Sequence, residues 1–106
     1  KRMSLPAPND LQLIPVSSAT GALTSTPAHI PIATTTLRIV VWSDQPFMVA
    51  TTGADDTEPY DGNAVYWPGN NPLGMPVNRN KRTSLTYVHV KRAGNQDGTF
   101  YVSFYK

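Results

Sequence analysis

The chain has 106 residues, no cysteine, and nine Lys or Arg against seven Asp or Glu, for a formal net charge of +2 at pH 7. That length leaves room for one domain, the missing cysteines exclude disulfides and thiolate zinc sites, and so small a charge gives no reason to expect a nucleic-acid partner. The longest apolar stretch, Leu37 to Trp42 with Arg38 inside it, is too short for a membrane span or a signal-peptide core, so no membrane partner is expected.

Lys1 to Thr35 is rich in Pro, Ser, Thr and Ala, with Pro6, Pro8, Pro15, Pro27 and Pro31 spaced along it. Proline removes an amide donor and resists helix interiors and central strands. The segment therefore reads as an extended N-terminal arm with one or two short edge strands, at Leu11 to Ile14 and His29 to Ile32. Lys1 itself points to a longer natural start, since methionine is rarely removed ahead of lysine.

From Thr36 the pattern turns to strands. Leu37, Ile39 and Val41 share one face of a β-branched run ending at Trp42. Ser43-Asp44-Gln45-Pro46 is a turn, and Phe47 to Thr51 returns, which reads as a first hairpin. A loop from Thr52 to Gly62 leads to a short strand, Asn63 to Trp67, closed by Pro68-Gly69. A further short strand is expected at Met75 to Val77.

The clearest alternation lies at the C-terminal end. Thr86, Val88 and Val90 face one way and Leu85, Tyr87 and His89 the other, while Phe100, Val102 and Phe104 alternate with Tyr101, Ser103 and Tyr105. Asp97-Gly98 between them reads as a positive-φ turn, making a second hairpin. Phe100, Val102 and Phe104 are expected to join Val88 and Val90 in the core, leaving Tyr101 and Tyr105 half-exposed. The whole predicts an all-β fold, a small antiparallel β-sandwich or jelly-roll-like barrel over residues 36–106 preceded by an arm over 1–35.

Few constellations offer chemistry. Asp55, Asp56, Glu58 and Asp61 share one loop and are the acids a calcium ion would use, but they fit an EF-hand pattern poorly. The plainer reading is a solvated loop, with no metal or cofactor. Arg79, Lys81 and Arg82 form a basic patch that could meet phosphates or an acidic neighbouring surface, but the plainer reading is a solvated loop, and without interleaved aromatics it gives nucleic acid little support. His29 and His89 stand far apart in sequence without acidic neighbours, and no nucleophile elbow, phosphate loop or metalloprotease motif occurs. Trp42, Tyr66, Trp67, Tyr101 and Tyr105 suit a core or protein interface first and a sugar-stacking platform second.

From Leu37 to Lys106 the order of elements resembles small β-sandwich virion proteins of tailed bacteriophages, such as capsid decoration proteins, head fibres and minor tail components. The likeness rests on Leu37 to Trp42 turning into Phe47 to Ala50, on Val65-Tyr66-Trp67-Pro68-Gly69, and on the alternating strands Ser84 to Lys91 and Gly98 to Tyr105. It covers about two-thirds of the chain and departs from it in the acidic loop and in Asn70 to Arg82.

The resemblance implies a non-enzymatic virion structural protein, assembled in the host cytoplasm, that forms homo-oligomers and bridges the major capsid protein or other virion proteins. Arg38, Arg79, Lys81 and Arg82 would make the charged contacts, and Trp42, Trp67 and Tyr105 the apolar ones. A carbohydrate-binding or receptor-binding module is the alternative.

Overall fold

A computed structural model describes residues 14–52, 64–77 and 87–106. Among these the chain forms eight strands and no helix: β1 (Pro15–Leu23), β2 (Ala28–Pro31), β3 (Arg38–Ser43), β4 (Phe47–Thr52), β5 (Val65–Trp67), β6 (Leu73–Pro76), β7 (Tyr87–Arg92) and β8 (Gly98–Tyr105). They build two four-stranded antiparallel sheets, ordered β1-β8-β3-β6 and β2-β7-β4-β5. This strand order is that of a jelly roll, a sandwich in which the chain passes back and forth between two sheets.

Period-two alternation builds the core. β3 turns Ile39 and Val41 inward, β8 turns Phe100, Val102 and Phe104, and the second sheet answers with Phe47, Val49, Val88 and Val90, all buried. Leu23, Ile30, Ile32 and Val77 close the ends of the same cluster. Leu37, expected on the face of Ile39, is instead 53% exposed, although its backbone bonds to Tyr105 and Val77.

Three further expectations need correction. The boundary at residue 35 does not hold: β1 and β2 are strands of the sandwich itself, paired with β8 and β7. Of the strand expected at Leu11 to Ile14, residues 11–13 lie outside the described ones. Both expected hairpins are also absent, since β3 and β4 lie in different sheets, as do β7 and β8. Each connecting turn is a corner that carries the chain across the sandwich, about 10 Å, rather than back along its own sheet. Gly98 is not in the left-handed region. It opens β8 where a Cβ would strike Asp44 Oδ1 and come within 2.7 Å of Gln45 Cγ.

The four short corners lie at one end of the sandwich and are tied to one another. The Asp44 carboxylate accepts the Thr99 amide at 2.9 Å, and Asp44 N donates to Thr99 O at 3.3 Å. Asn70, the non-glycine residue with φ of 63°, donates its amide to Ser43 O at 2.7 Å. Ala93 N reaches Pro46 O at 3.0 Å, Arg92 N reaches Thr24 O at 2.9 Å, and the Arg92 guanidinium pairs with Asp97. Segments 53–63 and 78–86 leave and rejoin the strands at the opposite end, where Ile14 and Lys106 also lie.

Candidate interaction surface

The strands that turn Ile39, Val41 and Phe100 inward necessarily turn their alternate residues out. On β3 these are Arg38, Val40 and Trp42, and on β8 they are Tyr101, Ser103 and Tyr105. Register sets Trp42 directly across from Tyr101 and Arg38 across from Tyr105. The Trp42 and Tyr101 rings tilt together with centroids 5.3 Å apart, and Tyr101 remains 45% exposed. Such a tilted pair contributes about 0.5–1.5 kcal/mol beyond its buried area.

Between these two rows runs one of small side chains: Ser18 of β1, Ser103, Val40, and Gly74 of β6. Outward residues along a strand are about 6.8 Å apart. The outer face of the first sheet is thus a shallow floor between an aromatic ridge and a ridge bearing Tyr105 and Arg38. A Cβ on Gly74 would lie 2.8 Å from Arg38 Nη2, so the guanidinium rests on that glycine. Aromatic side chains beside an arginine are the composition enriched where proteins dock.

Of the residues singled out from sequence, Arg38, Trp42 and Tyr105 therefore share one face. Trp67 does not join them. It lies on β5 in the other sheet, packs half-buried against the core, and donates Nε1–H to Asn71 O at 3.1 Å, bracing the 68–71 corner. Arg79, Lys81 and Arg82, and the acids Asp55, Asp56, Glu58 and Asp61, lie outside the described residues. The strands show only that the acidic and the basic segment attach at the same end of the sandwich, the end at which β3 begins with Arg38.

The two histidines, distant in sequence, are neighbours in space. β2 pairs with β7 so that His29 faces His89, with ring centroids 4.7 Å apart and planes at 75°. Tyr87 adds a third ring at 6.3 Å from His89. His89 is 2% exposed and Ala50 across from it 4%, although both point away from the core. Among the described residues on the outer face of the second sheet, only His89 and Ala50 are closed to solvent, while His29 and Tyr66, the latter 58% exposed, remain open, as Tyr101 does on the first sheet. Only the pairing register reveals this histidine pair. Among the described residues, no three His, Cys, Asp or Glu converge as metal ligands.

These features define an all-β jelly roll with an open aromatic row on its first sheet. No protein-family model matches the chain, and no curated protein matches it. Among solved structures, a chain from the disulfide-linked pili of Bacillus endospore appendages is similar over 100% of this chain and 98% of its own, with a TM-score of 0.51 and 14% identity. At that identity the likeness is one of fold. With no cysteine, the present chain has no disulfide by which to link.

Proposed function

We propose that this chain is a non-enzymatic structural subunit that works by assembly, and specifically a decoration protein of a tailed-bacteriophage virion that bridges neighbouring shell subunits. The observation that carries the assembly reading is the open face of the first sheet, where Trp42, Tyr101, Tyr105 and Arg38 flank a floor of small residues. A flat surface of this kind suits another protein better than it suits a small substrate, which prefers a concave pocket. The fold shared with a pilus protein supports a role in building assemblies, while the phage shell rests on the strand-and-turn resemblance. Many identical contacts around a shell would add small individual gains into resistance against expansion.

Quantitative mass spectrometry of purified particles tests this. A simple ratio to the major shell protein is the expected result, and absence from particles would sink the virion reading. A sugar-binding module is the second reading, favoured by the exposed Trp42–Tyr101 pair. It predicts a saturable glycan response that Trp42→Ala abolishes.

A further inference from the structure

We infer that β1 is a self-association edge, at which two copies of the chain pair antiparallel about a two-fold axis and join their first sheets into one eight-stranded sheet. The inference deepens the assembly reading above and rests on it. A sandwich has four strand edges, and unguarded ones invite pairing with another chain. Three of the four here are blunted. β2 is four residues long with Pro27 just before it and Pro31 at its end. β6 is four residues long with Pro72 before it and Pro76 at its end, and β5 has only three residues before Pro68.

β1 is different. It runs nine residues, Pro-Val-Ser-Ser-Ala-Thr-Gly-Ala-Leu, with its one proline at the first position and no charge anywhere. Among the described strands it pairs with β8 alone, so alternate backbone N–H and C=O groups along its other side point away from the sheet. Lysine, an interior proline or an inward charge would each guard such an edge, and β1 has none of these; its one irregularity is a register shift between Pro15 and Ser17, which leaves Ser17 to Leu23 in unbroken register.

The composition of the edge also selects the occupant. A charged partner strand finds no countercharge on β1, whereas a second β1 brings no like charges together. Antiparallel overlap of Ser17 to Gly21, clear of the register shift that precedes Ser17, places Ala19 on the axis. Ser18 then faces Thr20 of the second copy, a hydroxyl pair that is favourable across strands. A two-fold contact of this kind is closed and self-complementary.

The test is sedimentation equilibrium on the full chain. The wild type is expected to be dimeric, and Thr20→Lys to weaken the dimer roughly tenfold or more. Gly94→Lys adds the same charge at an open corner where a Cβ meets nothing within 4 Å, and should leave the dimer intact. Thermal melts establish that each variant is folded. Independently, a mixture of Ser18→Cys and Thr20→Cys chains should form interchain disulfides more readily than either alone, with no native cysteine to interfere.

A wild type that stays monomeric at the highest attainable concentration overturns the inference, as does a dimer indifferent to Thr20→Lys. A monomer that still enters particles stoichiometrically would refute edge pairing and leave the assembly reading standing. A β1-dependent dimer absent from particles would support edge pairing and count against the virion.

Discussion

The two ends of the sandwich are built differently. At one end the connections are short, and hydrogen bonds run from corner to corner: Asp44 to Thr99, Asn70 to Ser43, Ala93 to Pro46, Arg92 to Thr24. At the other end lie the attachments of segments 53–63 and 78–86 and both ends of the described chain, and those segments carry Asp55, Asp56, Glu58 and Asp61 on one side and Arg79, Lys81 and Arg82 on the other. Seven of the chain's charges thus belong to two connections that share an end. A jelly roll permits this division because its strands run the full distance between ends. Backbone bonds such as Leu37 N to Tyr105 O and Val77 N to Leu37 O tie the second end as well, so what sets it apart is the two longer connections it carries, and connections of that kind are where binding residues concentrate.

If the core is continuous between the ends, it should be equally costly to empty at either. Phe47 opens β4 at the cornered end, and Phe104 lies near the end of β8 at the other, both at most 1% exposed. Phe47→Ala and Phe104→Ala should each cost about 3–5 kcal/mol in urea melts. A Phe104→Ala cost near 1 kcal/mol would mean that the core thins toward the segment-bearing end.

Next in size are the corner effects. Gly98→Ala should cost about 1–3 kcal/mol, because the new methyl meets Asp44 and Gln45, while Gly94→Ala should fall within about 0.5 kcal/mol of wild type. Equal costs at Gly94 and Gly98 would deny that the corners pack on one another.

Much of this was legible in the amino-acid order, and what failed did so for identifiable reasons. Alternation in β3, β7 and β8 is enough to put Ile39 and Val41 on one face, to pick out Val88, Val90, Phe100, Val102 and Phe104 as core, and to leave Tyr101 and Tyr105 half-exposed. Alternation says nothing of which strand lies beside which. A turn of four to six residues serves a hairpin or a corner, so 43–46 and 93–98 read as hairpins in the sequence and are corners in the fold.

β1 escaped because two of its inward positions, Ala19 and Gly21, are small. A Cβ on Gly21 would come within 2.8 Å of the Phe100 ring, so the space beneath that residue is filled from β8. The His29–His89 contact depends on strands sixty residues apart in sequence falling into register. Trp67 and Trp42 look alike in the sequence, and only the face each occupies, Trp67 against the core and Trp42 on the outer side of the first sheet, separates a bracing residue from an interface residue.

The smallest predicted effects compare two aspartates of the cornered end. The Asp44 oxygen receives a backbone amide that opens β8, at 2.9 Å. Asp97 pairs with the Arg92 side chain across the loop that it shares, and its side chain is 62% exposed. Removing an acceptor from a backbone amide costs about 1 kcal/mol, whereas exposed ion pairs contribute roughly 0–1 kcal/mol and fade with salt.

Asp44→Ala should therefore lower stability by about 1 kcal/mol, and Asp44→Asn, which keeps a carbonyl acceptor, should recover most of that. Asp97→Asn should change stability by under about 0.5 kcal/mol, and less at high salt, because the charge it removes is already largely screened by water. The ordering matters more than the values. If Asp97→Asn costs as much as Asp44→Ala, and does so at high salt, the corners are held by a coupled charge network, and the backbone bonds between them are not what distinguishes this end of the molecule.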